Sequence, residues 1–326
     1  MSRSMRVSAL SMLAAAVLGM SGHCAAQDVY PGKPIRVLQP IPPGSTTDNV
    51  IRALGRELQG PLGQPWVVEN RPGASMTIGA QACAKAAPDG YTLCSLASDH
   101  LTLLPLLFAS LPYDPEKDFK PVALLFYNVD GLVASTGLAA NSVNELKAFA
   151  QANPGKLNFG TLGPGTTTDL FREWIARDWG ARITAIPYKG GPQITTALMA
   201  NEVHITRFGL GSLGGQIKSG LVKVLAVGSS QRSKLLPSVP TFGEAGIGFP
   251  IKVWWGLFAP AGTPDAIVNR LNAEIVRIYR DPKFLDQMES QYLDPAAGTI
   301  EAFAAIIKTD KERAAEVVRR FGVQKQ

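Results

Sequence analysis

The 326-residue chain carries 32 Lys and Arg against 26 Asp and Glu, a formal charge of +6, with 46% hydrophobic residues, three Cys and three His. That hydrophobic fraction is enough for sizeable cores and excludes a disordered polyelectrolyte. A mild positive excess without Lys/Arg blocks leaves no nucleic-acid footprint and supports at most a weak attraction for anions.

The first residues read as an address. Arg3 and Arg6 precede an uncharged apolar or small run, Val7 to Met20, which falls short of the roughly 20 residues that span a bilayer. Cys24 and Ala26 stand at the small-residue positions before a cleavage at Gln27, so residues 1–26 are expected to be a secretory signal peptide and the mature chain periplasmic. A membrane anchor and a lipoprotein acylated at Cys24 are the competing readings. His23 speaks against the second, because a small residue belongs there. No later stretch is long and apolar enough to cross a membrane, which predicts a soluble mature chain.

The mature sequence then alternates strand and helix patterns. A strand, IRVLQ (35–39), feeds a loop, PIPPGSTTD, and a helical pattern over 48–58 in which Val50, Ile51, Leu54 and Leu58 recur at helical spacing. Asp48 stands where a carboxylate caps orphan backbone N–H groups. Strand WVVEN (66–70), a small-residue helix over 78–87 and strand YTLCSL (91–96) follow. A second set comprises a strand at 131–135, a helix at 143–151 behind a Ser142/Glu145 capping box, strand LNFGT (157–161) and a helix from about Leu170 to Trp179. It continues with strand ITAIPY (183–188), a helix at 192–200 and strands HITRF (204–208) and VKVLAVG (222–228). An extended stretch, IKVWWGLFAP (251–260), leads to helices near 264–279, 282–289 and 300–320. The order predicts an α/β chain with largely parallel sheets in two lobes. Lobe 1 is expected to be discontinuous, from 27–125 and 246–326, and lobe 2 to span 126–245. A cleft between lobes suits a ligand enclosed by hinge closure.

Two loops carry candidate chemistry. Gly44, Ser45, Thr46 and Thr47 lie where a strand enters a helix, a place where backbone N–H groups and hydroxyls receive anions. Gly163, Gly165, Thr166, Thr167 and Thr168 repeat the pattern before Asp169 in the second lobe. Two anion cradles could clamp one acidic molecule; ordinary strand-to-helix turns are the plainer reading of each. The GxGxxG at Gly209, Gly211 and Gly214 lacks the dinucleotide context, since the next acid is Glu244. Neither GxxxxGK[ST] nor GxSxG occurs. With only His100 and His204 in the mature chain, no metal centre and no nucleophile–base pair is evident. His204 reads as a packed edge residue and His100 as a loop residue able to border a cleft. Trp254 and Trp255 read as core, with cleft aromatics as the alternative. Cys83 and Cys94 either pair in an oxidising compartment or sit as small buried residues.

ENRPGA (69–74), KAAPDGYTL (85–93), LPYDPEKDFKPVA (111–123), IPYKGG (186–191), LPSVPTFGEAG (236–246) and GLFAPAGTP (256–264) resemble the Bug, or tripartite tricarboxylate transporter receptor (TctC-like), family of extracytoplasmic solute-binding proteins. The resemblance covers nearly the whole mature chain. It implies a type II periplasmic-binding-protein fold and a small carboxylate ligand held between the lobes. The positions it points to are Pro42, Pro43 and Gly44 to Thr47, the segment Ala74 to Ile78 with Ser75 and Met76, the loop Ser95 to His100 with Ser98 and Asp99, the Gly163 to Asp169 loop, and Tyr188. Ser45, Ser75, Met76, Asp169, His204 and Phe208 depart from the family pattern. Met76 and Phe208 add apolar bulk, and Asp169 would repel a second carboxylate. An aromatic monoacid, or an acid with an amino or amide group, is therefore expected rather than a simple aliphatic dicarboxylate. The expected role is non-enzymatic capture of that acid by a monomer, without cofactor or metal, for a membrane transporter. A sensor subunit with the same ligand, and an exported hydrolase, are the alternatives.

Overall fold

The order of the strands in space explains why the molecule has two halves. In the computed structural model, which describes residues 30–164, 166–323 and 325, the first sheet runs β11-β4-β10-β3-β1-β2 and the second β7-β6-β8-β5-β9. The expected signal peptide (1–26) and Gly165 lie outside the described residues, and Lys33–Gln326 form one compact unit.

The first sheet contains β1 (Ile35–Gln39), β2 (Trp66–Asn70), β3 (Thr92–Ala97), β4 (Phe119–Asn128), β10 (Trp254–Pro260) and β11 (Leu293–Pro295). The second contains β5 (Asp130–Ser135), β6 (Leu157–Thr161), β7 (Ile183–Pro187), β8 (Ile205–Gly209) and β9 (Val222–Val227). β1 pairs in parallel with β2 and β3, and β6 with β7 and β8. β4, β5, β9, β10 and β11 are antiparallel to their neighbours, so both sheets are mixed rather than largely parallel. The reason is topological. β10, returning from the second lobe, enters between β3 and β4 in the direction opposite to both, and β5, entering the second lobe, does the same between β8 and β9.

Only Val129 separates β4 from β5, so one extended run passes from the first sheet to the second. The return crossing lies ahead of β10, where Ile247, Phe249 and Ile251 pack in the core of the second lobe. The last helix, Ile300–Phe321, bridges both halves. Phe303 and Ile307 pack in the cluster containing Trp254 and Phe258, and Val317 packs with Phe159 and Phe171. Trp254 is fully buried and donates its Nε1–H to Asp310 Oδ2 at 2.8 Å, which satisfies the indole. Among the described residues no helix is long and apolar enough to cross a membrane.

Cys83, in the helix Thr77–Ala84, forms a disulfide with Cys94 of β3, with Cα atoms 6.0 Å apart. The bridge ties helix to sheet inside the first core.

Candidate functional site

The two helix-start loops are built alike. Ser45 caps the helix Thr46–Leu62, its Oγ accepting from the Asp48 N–H at 3.2 Å. Asp48 in turn accepts from the Gly44 N–H at 2.9 Å, from Arg52 Nε at 2.9 Å and from Asn70 Nδ2 at 2.9 Å. Burial raises the Asp48 pKa, but bonds from Arg52, Asn70 and Gly44 outweigh it and hold the carboxyl below its ordinary value. Asn70 also donates to the Ile41 carbonyl, so the end of β2 fixes the loop after β1. Gly44 has φ +79°, a left-handed turn that glycine adopts at little cost.

In the second lobe Thr166 caps the helix Thr167–Asp178, accepting from the Asp169 N–H at 3.4 Å. Its hydroxyl donates to the Gly163 carbonyl at 2.7 Å. Asp169 is held by Arg172 Nε at 2.9 Å, as Asp48 is by Arg52.

These loops face one cavity of about 870 Å³ between the lobes. Ser45, Thr46, Thr47 and Met76 line it from the first lobe, and Gly163, Thr166, Thr167 and Phe208 from the second. Asp99 lines it as well. Pro43, Gly44, Ser98, Asp169 and Tyr188 do not. Gly44 and Asp169 shape the cradles from behind, Ser98 is buried beneath Asp99, and Tyr188 packs in the second core. The backbone of Ser75 sits in the short turn Ala74–Met76 before the helix Thr77–Ala84.

Met76 has φ +70°, left-handed for a side chain that rarely adopts it. Its carbonyl faces His100 Nε2 at 3.3 Å, while His100 Nδ1 faces the Ala97 carbonyl at 3.1 Å. His100 is thus a buried strut beneath the cavity wall. Burial lowers its pKa, against the two carbonyls that favour the proton. His204 accepts the Asn158 N–H on Nδ1 at 2.9 Å, an edge residue satisfied by backbone.

Several cavity residues receive no role from sequence. Leu104, Leu107 and Phe108 give the cavity apolar walls, together with Trp255. Trp255 is buried, as its core reading expects, and it also lines the cavity. Asp130 and Arg207 also line the cavity as a buried ion pair. Burial raises the Asp130 pKa, with Arg207 opposing and Asp99 reinforcing. Phe208 lies against Gly191, where a Cβ would stand 2.2 Å from Phe208 Cζ, so glycine there admits the ring. The sequence held one usable signal: a charged pair inside otherwise apolar strands, β5 and β8.

A second cavity of about 970 Å³ shares Asn128, Asp130, Arg207, Tyr292 and Leu293 with the first but touches neither helix-start loop. Of its cations, Arg232 and Lys234 are engaged by Glu244 and Glu289, and Lys252 lies over the Tyr127 ring. The cleft between the cradles is therefore the stronger site. Among the described residues no group of His, Cys, Asp or Glu is arranged to hold a metal ion.

The architecture, two lobes closing on one cleft from opposed helix starts, is that of a solute receptor. Residues 50–323 match the model of the tripartite tricarboxylate transporter family receptor. The chain belongs to this family. Protein BugT of Bordetella pertussis is 35% identical over 299 residues, 91% of this chain and 92% of its own. Among solved structures, the periplasmic binding protein BugD is 31% identical with a TM-score of 0.78, covering 91% of this chain and 100% of its own. Rpa4515 of R. palustris, solved with adipate, is 28% identical with a TM-score of 0.82, over 91% of this chain and 100% of its own. MatC from Rhodopseudomonas palustris, with bound malate, is 30% identical with a TM-score of 0.76, over 89% of this chain and 100% of its own. This family member is a solute-binding receptor, not an enzyme, with the two-lobed α/β fold of periplasmic binding proteins.

Proposed function

We propose that this receptor captures a small organic acid with an apolar body in the periplasm and delivers it, as a monomer, to a membrane transporter. The observation that carries the reading is one cavity of about 870 Å³ bordered by two Ser/Thr-capped helix starts. The acid group belongs at the Ser45–Thr47 loop and the turn before Thr77, where helix N-termini favour negative charge. Phe208, Trp255, Leu104 and Phe108 offer an aromatic or bulky aliphatic body a dry wall. Adipate and malate in the related structures support a carboxylate as the ligand's common feature. Met76 and the acidic cavity floor favour a monoacid over those diacids. Residues 1–26 fit export, and the family's name fits delivery to a tripartite transporter.

The test is a thermal-shift screen of the purified protein against aromatic and aliphatic mono- and diacids. A ligand at 100 times its Kd stabilises by about 2.7 kcal/mol, a clear rise in Tm. An upward shift with apolar monoacids and no turnover supports the reading. Tightest binding to succinate or citrate refutes the monoacid preference, and no shift with any acid refutes the acid.

A further inference from the structure

Asp99 lines the cavity, and among the described residues no cation stands at ion-pair distance from it. The cationic group acting on it, Arg207, is engaged elsewhere, donating from Nη2 to Asp130 Oδ2 and to the Ile251 carbonyl. Asp99 accepts hydrogen bonds from Thr167 Oγ1 at 3.3 Å and from Ser98 Oγ at 3.4 Å. Both are long for a hydroxyl on a carboxylate, which settles near 2.5–2.7 Å. A carboxylate offers about four acceptor positions, so two weak donors leave it under-satisfied. An enclosed carboxylate in that condition is costly unless a strong donor completes it. Thr167 comes from the opposite lobe, so Asp99 also stands where the lobes meet over the ligand.

We infer that Asp99 receives an N–H donor of the ligand, a protonated amine foremost, so that the receptor selects an acid carrying a basic nitrogen at the end away from its carboxylate. This rests on the acid-binding reading above and adds the chemistry of the second end. A second carboxylate there would meet Asp99 and Asp130 together, with Arg207 already engaged by Asp130. Lys189, on the cavity rim and exposed, is the remaining cation lining that space. Asp169, the acid that the sequence alone offers for this role, is engaged by Arg172 and does not line the cavity. An amine gains both a part-buried counter-charge at Asp99 and a hydroxyl acceptor at Thr167.

Three probes of one shape separate the possibilities: 4-(aminomethyl)benzoate, its isostere 4-ethylbenzoate, and the dianion 4-(carboxymethyl)benzoate. Affinities are measured by calorimetry on wild type, Asp99→Asn and Asp99→Ser, and the amine-to-ethyl ratio is read within each variant. A charged hydrogen bond predicts a preference of roughly 10- to 100-fold for the amine in wild type. The ratio should collapse toward one in both variants, and melting curves confirm that each variant folds. The amine's Kd should tighten as pH rises and Asp99 ionises. Equal binding of all three probes overturns the role of Asp99 while sparing the acid reading. Best binding of the dianion, tightening at low pH, also overturns it, because Asp99 would then be acting as a protonated donor. An amine preference that survives both substitutions does the same. Failure of all three probes to bind overturns this inference for acids of this shape, and the thermal-shift screen decides the acid reading separately.

Discussion

Arg207 of β8 reaches Asp130 at the start of β5 and the Ile251 carbonyl, at 3.2 Å, on the return crossing. One buried guanidinium thus fastens both chain crossings to the floor of the cleft. It also lies over the rings of Phe171 and Phe249, 5.5 and 5.1 Å from their centroids. Removing one member of a buried pair leaves an uncompensated charge. Arg207→Met should therefore cost about 3–5 kcal/mol in urea denaturation. Adding Asp130→Asn should return a substantial part of that loss. If the double variant is as unstable as the sum of the singles, the pair is not the source of the effect.

Gly211 of the second lobe lies tightly against the first. A Cβ there would stand 2.6 Å from the Gln291 carbonyl oxygen and 3.2 Å from Thr46, one of the cradle residues. The backbone oxygen cannot yield as a flexible side-chain end can, so Gly211→Ala should prop the cleft open. The expected result is ligand affinity weaker by roughly tenfold, from about 1.4 kcal/mol of strain on the closed form, with little change in the Tm of the ligand-free protein. Small-angle scattering should show a larger radius of gyration for the liganded variant than for liganded wild type. Unaltered affinity would mean that closure does not bring these residues together.

Met76 tests how far the cavity wall tolerates its own strain. In the left-handed region a side chain costs about 1–2 kcal/mol, which glycine avoids while adding unfolded-state entropy of similar size. Met76→Gly should leave stability within about 1 kcal/mol, whereas the β-branched Met76→Val should lose more. The same glycine enlarges the cavity, so bulkier aromatic acids should gain affinity relative to small ones. Equal denaturation midpoints for the two variants would show that the backbone there is unstrained.

Asp99 gives stability an uncommon pH dependence. Burial raises its pKa above the ordinary 3.8, against Thr167, Arg207 and Ser98, which lower it. The folded protein then holds this proton more tightly than the unfolded chain. Its contribution is fully present below 3.8 and is lost as pH rises through the folded value. Asp99→Asn, which carries no charge, should have the higher Tm at pH 7, and the difference should shrink toward pH 4. Asp48 has the opposite sign, its stability lost as pH falls, and is common to both proteins. A gap of the same size at both pH values would contradict the buried charge as its cause.

The parts of the site written in local sequence were legible, and those made by distant segments were not. Ser45 with Asp48 and Thr166 with Asp169 are cap patterns four residues long, so both cradles could be read before the fold. The same local logic misdirected Asp169: at the third position of its helix, with Arg172 one turn on, its charge is spent on cap and ion pair. Asp130 and Arg207 meet across 77 residues, and no periodicity announces such a pair. Trp255 was indistinguishable from Trp254 in sequence. Adjacent strand residues point to opposite faces, and only the sheet's position decides which face meets the cleft. The mixed sheets had the same origin, since strand direction near a crossing depends on where the chain returns.

Cys83 and Cys94 were undecided by spacing and are joined in the fold, closing a short loop between helix and strand. Both are fully buried beside Leu38 and Ala80. A cross-link over a separation of 11 residues restricts the unfolded chain by about 2–3 kcal/mol on the loop-entropy account. The double variant Cys83→Ala/Cys94→Ala should lose that much plus a packing term for two small sulfurs, and reductant should lower the wild-type Tm without affecting the variant. The bridge lies in the first core, away from the cavity lining, so ligand affinity at a temperature where both proteins are folded should be unchanged. A wild-type Tm insensitive to reductant, with free thiols titrating in the denatured protein, would instead place the two cysteines as unpaired core residues.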